Sequence, residues 1–206
     1  KGTIMIVTHI VPVNKHRSRV FFEEEPAFVL SNGDIGRLGL KEGGNLDEKA
    51  YKGIIREILC PEALRKAVDI LKTADRTEQE LERKLRESGY PDSAVNYALQ
   101  YLKNRHYVDD EGFGRRYMEY RTKGKSKRQV QFELQQKGLD GQLIDQLMEE
   151  SPVDEERQIR DYIRKRGWEP EKMSLEKRRK AMASLARKGF HFEAVAKIFR
   201  DFQNID

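Results

Sequence analysis

The order of apolar and polar residues divides the chain into a short β-rich part and a long helical part. Up to about residue 60, β-branched and aromatic residues occur in short runs within Ile4–Ile10, Arg19–Phe22 and Ala27–Leu30. Turn-forming residues, including two prolines, separate these runs. Short apolar runs bounded by turn residues predict a short antiparallel meander of strands.

Two short helices are predicted after these strands. Ser31 is placed to cap a helix that runs to Leu38, and Gly39 would end it. Asp47 is placed to cap a second helix that runs through Leu59.

From Pro61 onward the apolar residues follow a helical spacing, and capping signals mark the predicted helix ends. Thr77 with Glu80, and Ser126 with Gln129, have the spacing of capping boxes ahead of apolar helix faces. Further helices are predicted to begin at Pro91-Asp92, Asp109-Asp110 and Asp140.

The helical part contains an internal repeat of about 50 residues. The pattern Leu-x-x-x-Gly-(Tyr/Leu/Phe) occurs at Leu85–Tyr90, Leu134–Leu139 and Leu185–Phe190, at shifts of 49 and 51 residues. Its glycine suits a left-handed helix cap, and the bulky residue after it can return to the core. The alternative is three helical hairpins that are similar by coincidence.

The repeat predicts a mainly α fold of three tandem three-helix repeats, forming an elongated curved body, with a small β-rich N-terminal segment. The predicted segments are residues 1–60, 61–110, 111–152 and 153–206. The third copy is longer between its first and second helices, and the extra residues fall around Trp168-Glu169-Pro170.

Composition agrees with thin cores and large exposed surfaces. Charged residues make up 36% of the 206 residues, above the roughly 25% of an ordinary globular domain. The single cysteine, Cys60, excludes a disulfide within the chain and a cysteine-rich zinc site. The sequence has no apolar run long enough to span a membrane and no signal-peptide pattern, so we expect a soluble, cytoplasmic protein.

Positive charge is concentrated in the predicted second repeat. The whole chain has a net charge of +5, whereas residues 115–137 hold eight basic and two acidic residues, a net of +6. Tyr117, Tyr120 and Phe132 are interleaved with these charges. This stretch is the best candidate to bind a phosphate backbone or an acidic partner, and the alternative is a solvated helix face. Its basic residues are Arg115, Arg116, Arg121, Lys123, Lys125, Lys127, Arg128 and Lys137.

Other polar and aromatic groups have two interpretations each. A second basic group, Lys177–Lys180 with Arg187 and Lys188, has acidic neighbours and is more typical of a solvated face. Trp168 could be an exposed anchor for a partner or could pack inside the third repeat. We expect the aromatic pairs Tyr90/Tyr107 and Phe190/Phe192 to lie in the core.

The sequence favours a protein without catalytic activity. Asp109-Asp110 suits a helix cap better than a metal site. Gly124-Lys125-Ser126 resembles the end of a phosphate-binding loop, but Glu119 stands where that motif needs glycine. Cys60 as a nucleophile is less favoured than an ordinary buried thiol. We therefore expect no cofactor and no metal.

The helical part resembles the RecX family of recombinase regulators. The match is strong over about residues 62–140 and looser in the third repeat. The N-terminal segment looks like the extra segment of members from low-GC Gram-positive bacteria. The residues that carry the resemblance are Arg76–Leu85, Gly89-Tyr90, Tyr107–Asp110, Phe113, Tyr117, Arg121, Lys123-Gly124, Arg128, Leu134 and Gln136–Gly138.

One position departs from the family pattern. Alanine usually follows the motif's Phe113, and here Gly114 stands in that place, with Gly112 before it. Glycine costs about 1 kcal/mol relative to alanine inside a helix, so we expect a less rigid start of this helix.

The resemblance implies a non-enzymatic regulator that binds the RecA–DNA filament, and we expect it to be a monomer. Family members look like groove binders that limit the ATPase, strand-exchange and co-protease activities of RecA in DNA repair, recombination and the SOS response, and some also bind DNA. Two other hypotheses stay open: a sequence-nonspecific DNA-binding helical protein without a recombinase partner, and a repeat scaffold for some other protein.

Overall fold

The computed structural model describes residues 4–23, 25–122, 124–151 and 154–202. The chain forms two compact units, Lys1–Asp109 and Asp110–Asp206. The fold is mainly α-helical, with a small antiparallel sheet near the N-terminus. The division into four segments and the elongated, curved outline remain predictions.

The N-terminal sheet has the strand order β3-β2-β1-β4, with every neighbouring pair antiparallel. The predicted strand runs are confirmed as β1 (Ile4–Pro12), β2 (Arg17–Phe22) and β3 (Phe28–Ser31). The sequence analysis missed β4 (Asn45–Asp47), which pairs with the start of β1. Its only apolar residue is Leu46, so no periodic signal marks it.

The helix after β4 does not end at Leu59 as predicted. Helix α1 (Asn32–Arg37) and helix α2 (Glu48–Ile54) begin at their predicted caps, Ser31 and Asp47. A π-helical turn (Ile55–Leu59) then leads directly into α3 (Cys60–Thr73), so helical backbone crosses the predicted boundary at residue 60. Pro61 follows closely after this π-helical turn, where the regular α-helical hydrogen-bond pattern is already interrupted.

The first unit has one apolar core. Helices α4 (Glu78–Glu87) and α5 (Asp92–Lys103) pack with α3, and their buried residues form one cluster with those of the sheet. Tyr90 is buried as predicted, but the prediction for Tyr107 is wrong because its side chain is 68% exposed. His106 has a positive φ of 56°, and after this turn Val108, not Tyr107, enters the core.

The second unit contains two sets of three helices, each with its own apolar cluster. The first set is α6 (Asp110–Arg121), α7 (Lys127–Gln136) and α8 (Gly141–Glu150). The second is α9 (Glu155–Lys165), α10 (Leu175–Arg187) and α11 (Phe192–Asp201), with a 3₁₀ turn at Pro170–Lys172 inside the predicted insertion. Phe190 is buried, but Phe192 begins α11 and is 65% exposed, which contradicts its predicted core position.

The glycine at the end of each second helix adopts the left-handed conformation that the repeat predicts. Gly89, Gly138 and Gly189 have φ values of 87°, 81° and 85°. After each glycine the next backbone N–H donates to the carbonyl five residues back, at 3.4, 3.2 and 3.3 Å in chain order. The residues after these glycines are buried, so the predicted Leu-x-x-x-Gly pattern ends α4, α7 and α10 in the same way.

Gly114 lies where α6 packs closely against two leucine side chains. A Cβ atom at this position would lie 2.4 Å from Leu147 Cδ1 and 3.0 Å from Leu139 Cδ2. An alanine methyl group would therefore require these two leucine side-chain ends to shift. The departure from the family pattern permits a close approach between α6 and α8.

Candidate partner-binding site

Helices α6 and α7 hold most of the predicted basic residues. The short connection between them follows Arg121 and ends at Ser126, which caps α7 by accepting a hydrogen bond from the Gln129 N–H at 3.2 Å. The reciprocal half of the predicted capping box, from Gln129 back to Ser126, is absent from the contacts of the described residues. Lys123 lies in this connection, outside the described residues.

The structure places two of the predicted cations, Arg121 and Lys125, around a carboxylate. Lys125 Nζ donates a hydrogen bond to Glu133 Oε1, and the Tyr117 hydroxyl donates to Oε2 at 2.8 Å. Arg121 Nε lies 4.0 Å from the same Oε2 atom. We call Arg121, Lys125, Lys137, Tyr117 and Glu133 the Glu133 cluster.

Aromatic rings form part of the Glu133 cluster and its border. Arg121 lies 5.2 Å from the Tyr117 ring centre and 6.0 Å from that of Tyr120. Lys137 Nζ lies 5.6 Å from the Tyr117 ring and 5.5 Å from the stacked Phe113 ring. The cluster therefore combines three cations and one carboxylate, a net charge of +2, with aromatic faces that attract cations.

Glu133 is held in its charged form. Partial burial alone would raise its pKa, but hydrogen bonds from Lys125 and Tyr117 and the charges of Lys125 and Arg121 outweigh burial and lower the pKa. The pKa of Tyr117 is raised, first by burial and then by its hydrogen bond to Glu133. The phenol stays protonated and donates to a carboxylate that stays ionised at neutral pH.

The other predicted cations lie elsewhere on the same helices. Arg115 is paired with Glu111 at 2.9 Å and with Glu150 of α8 at 2.6 Å, away from the Glu133 cluster. Arg116 is on the exposed part of α6. Lys127 and Arg128 occupy the first turn of α7, and their side chains form no ion pair with any residue that the structure describes.

Contacts that sequence reasoning missed hold the connection between α6 and α7 in place. The Ser126 hydroxyl is fully buried and donates to the Lys188 carbonyl at 2.7 Å. The Gln158 amide of α9 donates to the Thr122 carbonyl and, at 3.2 Å, to that of Lys125. The positions of Arg121 and Lys125 thus depend on the second helix set, a dependence that no local sequence signal indicates.

Two aromatic side chains near the basic residues are exposed. Tyr120 is 72% exposed, beside Arg121 of the Glu133 cluster. Phe132 of α7 is 60% exposed, one turn after Arg128 on the same helix. Exposed aromatics beside cations can stack on a base or anchor a protein partner.

A cleft of about 830 Å³ lies in the second unit, lined by α6, α8 and α9. Met118, Leu147, Tyr162 and Phe190 form apolar parts of its wall, and charges of both signs surround them. The pKa of Glu150 in this wall is lowered by hydrogen bonds from Gln146 and Arg115. A carboxylate kept ionised in this way suits an ion pair better than proton transfer.

Two residues of the second basic group and Trp168 make contacts within the second helix set. Lys188 Nζ lies 5.2 Å from the Tyr162 ring centre, and Arg178 donates to the Pro170 carbonyl at 2.8 Å. Trp168 is half-buried against the third apolar cluster and packs edge-to-face on Tyr162. These contacts favour packing inside the second helix set over an exposed anchor.

The described part of the chain gives no support for a catalytic centre. No group of three or more His, Cys, Asp or Glu side chains among these residues could hold a metal ion. Cys60 is buried, and burial raises the pKa of its thiol, which lowers the fraction of reactive thiolate. No helix in the described ranges is long and apolar enough to cross a membrane.

Two family models match the chain. "RecX, first three-helix domain" matches residues 63–102, and "RecX, second three-helix domain" matches residues 109–148. These ranges contain most of α3–α5 and of α6–α8.

Curated relatives and solved structures agree with these matches. The chain is 30% identical to a regulatory protein RecX from Cronobacter sakazakii over 152 residues, covering 68% of the chain and 92% of the relative. It is 28% identical to one from Bacillus licheniformis over 199 residues, covering 94% of the chain and 76% of the relative. A crystal structure of a regulatory protein RecX matches with a TM-score of 0.60 at 22% identity, covering 96% of this chain and 99% of that one. The RecX structure from Lactobacillus salivarius matches with a TM-score of 0.61 at 18% identity, covering 71% and 98%.

Proposed function

The chain belongs to the RecX family of regulatory proteins, and we propose that it regulates the RecA recombinase, mainly as an inhibitor. It binds the RecA–DNA filament and limits ATP hydrolysis, strand exchange and co-protease activity without catalysing a reaction. A regulator of this kind acts in the cytoplasm as a monomer.

The observation that carries this proposal is the basic surface of α6 and α7. It combines the Glu133 cluster with Lys127 and Arg128 at the start of α7, which form no ion pair with any residue that the structure describes. Exposed Tyr120 and Phe132 lie on the same two helices. Such a surface is complementary to an anionic partner, whether DNA in the filament or an acidic face of RecA.

Charge reversal of Lys127 and Arg128 tests the proposal without disturbing the fold. Neither side chain forms an ion pair in the described chain, and acidic residues in the first turn of a helix are favourable. We expect the double variant Lys127→Glu/Arg128→Glu to keep its helicity and to inhibit RecA-driven ATP hydrolysis on single-stranded DNA much less than the wild type.

The matched control reverses two exposed cations of the first unit. Arg65 and Lys66 of α3 form no ion pair among the described residues, so Arg65→Glu/Lys66→Glu changes the net charge by the same amount. If Lys127→Glu/Arg128→Glu inhibits RecA as strongly as the wild type does, the basic surface does not have the proposed role. Equal loss in both variants would assign the effect to net charge alone.

The second candidate function is sequence-nonspecific DNA binding without a recombinase partner, which Lys127 and Arg128 also support, since neither is paired within the described ranges. Affinity would then fall steeply with salt, because contacts to phosphates release counterions. Retention of RecA by the immobilised protein after nuclease treatment separates the two functions. We expect RecA to be retained, and its loss would favour the second candidate.

A further inference from the structure

Glu133 occupies the place of an anionic ligand within the basic surface. Its two carboxylate oxygens accept from Lys125 on one side and from Tyr117 on the other, and Arg121 Nε lies 4.0 Å away. A phosphodiester has the same single negative charge and also presents two anionic oxygens. The three donors around Glu133 therefore form a preorganised anion site that an internal carboxylate already fills.

The site is accessible and its internal ligand is held loosely. The side chains of Glu133, Lys125 and Arg121 are 26%, 35% and 41% exposed. Ion pairs with this much exposure contribute little to stability, since water screens them. A ligand that brings several negative charges at once can displace a single carboxylate from such a site.

The surroundings favour a nucleic acid strand as this ligand. Lys127 and Arg128 follow the site along the chain and offer further phosphate contacts, as their charges are not neutralised within the described residues. Exposed Tyr120 lies beside Arg121 and can stack on an unpaired base. Cations in series with an exposed aromatic ring are the usual elements of a single-strand binding surface.

We propose that Glu133 is an internal competitor of phosphate: it holds Arg121 and Lys125 in place in the free protein and weakens the binding of a nucleic acid strand, whose phosphodiester takes its position. The inference rests on the proposed role of the basic surface. Glu133 limits the affinity for the nucleic acid strand, so that the strand is bound weakly enough to be released.

Glu133→Gln tests the proposal directly. The amide keeps the size of the side chain and can still accept one hydrogen bond from Tyr117 or Lys125, but it no longer neutralises the two cations. The readout is fluorescence anisotropy of a labelled oligothymidylate with the full chain at several salt concentrations. We expect Glu133→Gln to bind about fivefold more tightly at low salt with an unchanged log–log salt slope, because the same phosphate contact forms in both proteins and only the competing carboxylate is lost.

Glu119→Gln is the matched control. Glu119 is exposed on α6, carries the same charge and forms no ion pair in the described part of the chain. Its neutralisation should raise affinity less and leave the salt slope unchanged. Equal effects of the two variants would overturn the proposal, since net charge alone would explain both.

Two further outcomes separate this inference from the proposed function. If Glu133→Gln inhibits RecA more strongly while oligothymidylate binding does not change, the displaced ligand is a carboxylate of the protein partner, and the phosphate proposal is wrong. If neither readout responds to Glu133→Gln but Lys127→Glu/Arg128→Glu still loses inhibition, the inference fails and the proposed function stands. Circular dichroism of each variant confirms that it is folded.

Discussion

The two units of the chain join their parts in different ways. In Lys1–Asp109, the N-terminal sheet and α3–α5 share one apolar cluster. In Asp110–Asp206, two clusters are separate, and the α6–α7 connection is joined to the second helix set by hydrogen bonds from Ser126 and Gln158.

A glycine turn takes part in both kinds of junction. A Cβ atom on Gly89 would lie 2.2 Å from Val29 Cγ2 of β3, whereas one on Gly189 would lie 2.7 Å from Ser126 Oγ. The same helix-ending motif thus meets a buried apolar strand in one unit and a polar loop in the other. The contrast shows that one local motif can support either a shared apolar core, which we call the apolar junction, or a hydrogen-bonded contact, which we call the polar junction. The polar junction lies next to the basic surface.

The largest expected effect on stability is that of Gly89→Ala, which disturbs the apolar junction. The new methyl group would overlap the Val29 side chain, and φ would remain near 87°, so we expect a loss of about 3 kcal/mol in the free energy of unfolding. Urea denaturation measures it. The control is Gly36→Ala in α1, where a Cβ atom meets nothing within 4 Å; a similar loss there would contradict the steric explanation.

A smaller effect is expected at the polar junction, where the two partners should be coupled. Gly189→Ala should cost about 2 kcal/mol, because φ is 85° and the methyl group approaches Ser126 Oγ. In Ser126→Ala/Gly189→Ala the hydroxyl is gone, so the double variant should lose at least about 1 kcal/mol less than the sum of the single losses. A double-mutant cycle by urea denaturation measures the coupling, and additive losses would show that the two positions do not interact.

The third prediction isolates the hydrogen bond across the polar junction. Ser126 and Ser174 both cap helices of the second unit, but only Ser126 is seen to donate to a second element, at the Lys188 carbonyl. We expect Ser126→Ala to cost about 2 kcal/mol and Ser174→Ala about 1 kcal/mol in the free energy of unfolding. Equal losses would mean that Ser126 acts as a cap alone.

The smallest expected effect is a change in how the free energy of unfolding depends on pH. Because the folded state lowers the pKa of Glu133, its charged form stabilises the fold at neutral pH, and this contribution is lost as the pH falls through the lowered pKa. Glu133→Gln should therefore lose less stability than the wild type from about pH 7 to about pH 3, by less than about 1 kcal/mol. Parallel urea curves at both pH values test this, and an equal loss in the two proteins would contradict it.

Local signals predicted much of this molecule because they act within one turn of the chain. The capping roles of Ser31, Asp47 and Ser126 and the left-handed glycines follow from backbone hydrogen bonding alone. The same signals failed where two elements meet. Strand β4 owes its existence to pairing with β1, and Tyr107 and Phe192 are exposed because neighbouring residues reached the core instead.

The candidate site was predicted only in part, for the same reason. The excess of positive charge on residues 115–137 is a property of the sequence, and it directed attention to α6 and α7. How that charge is distributed depends on contacts: Arg115 is paired with Glu150, and Arg121 and Lys125 surround Glu133. In a count of charges, Glu133 only lowers the net positive charge by one. In the fold, its carboxylate accepts hydrogen bonds from Lys125 and Tyr117 at the centre of the cluster.

The sequence by itself determined where most helices begin, the repeated glycine turn and the stretch that carries the charge, since each depends on residues close along the chain. Only the tertiary structure decided which cations are neutralised, which side chains pack against Gly114 and how Gln158 and Lys188 hold the connection between α6 and α7. These features depend on contacts between residues that are far apart in the chain, and such contacts form only when α6–α11 pack together.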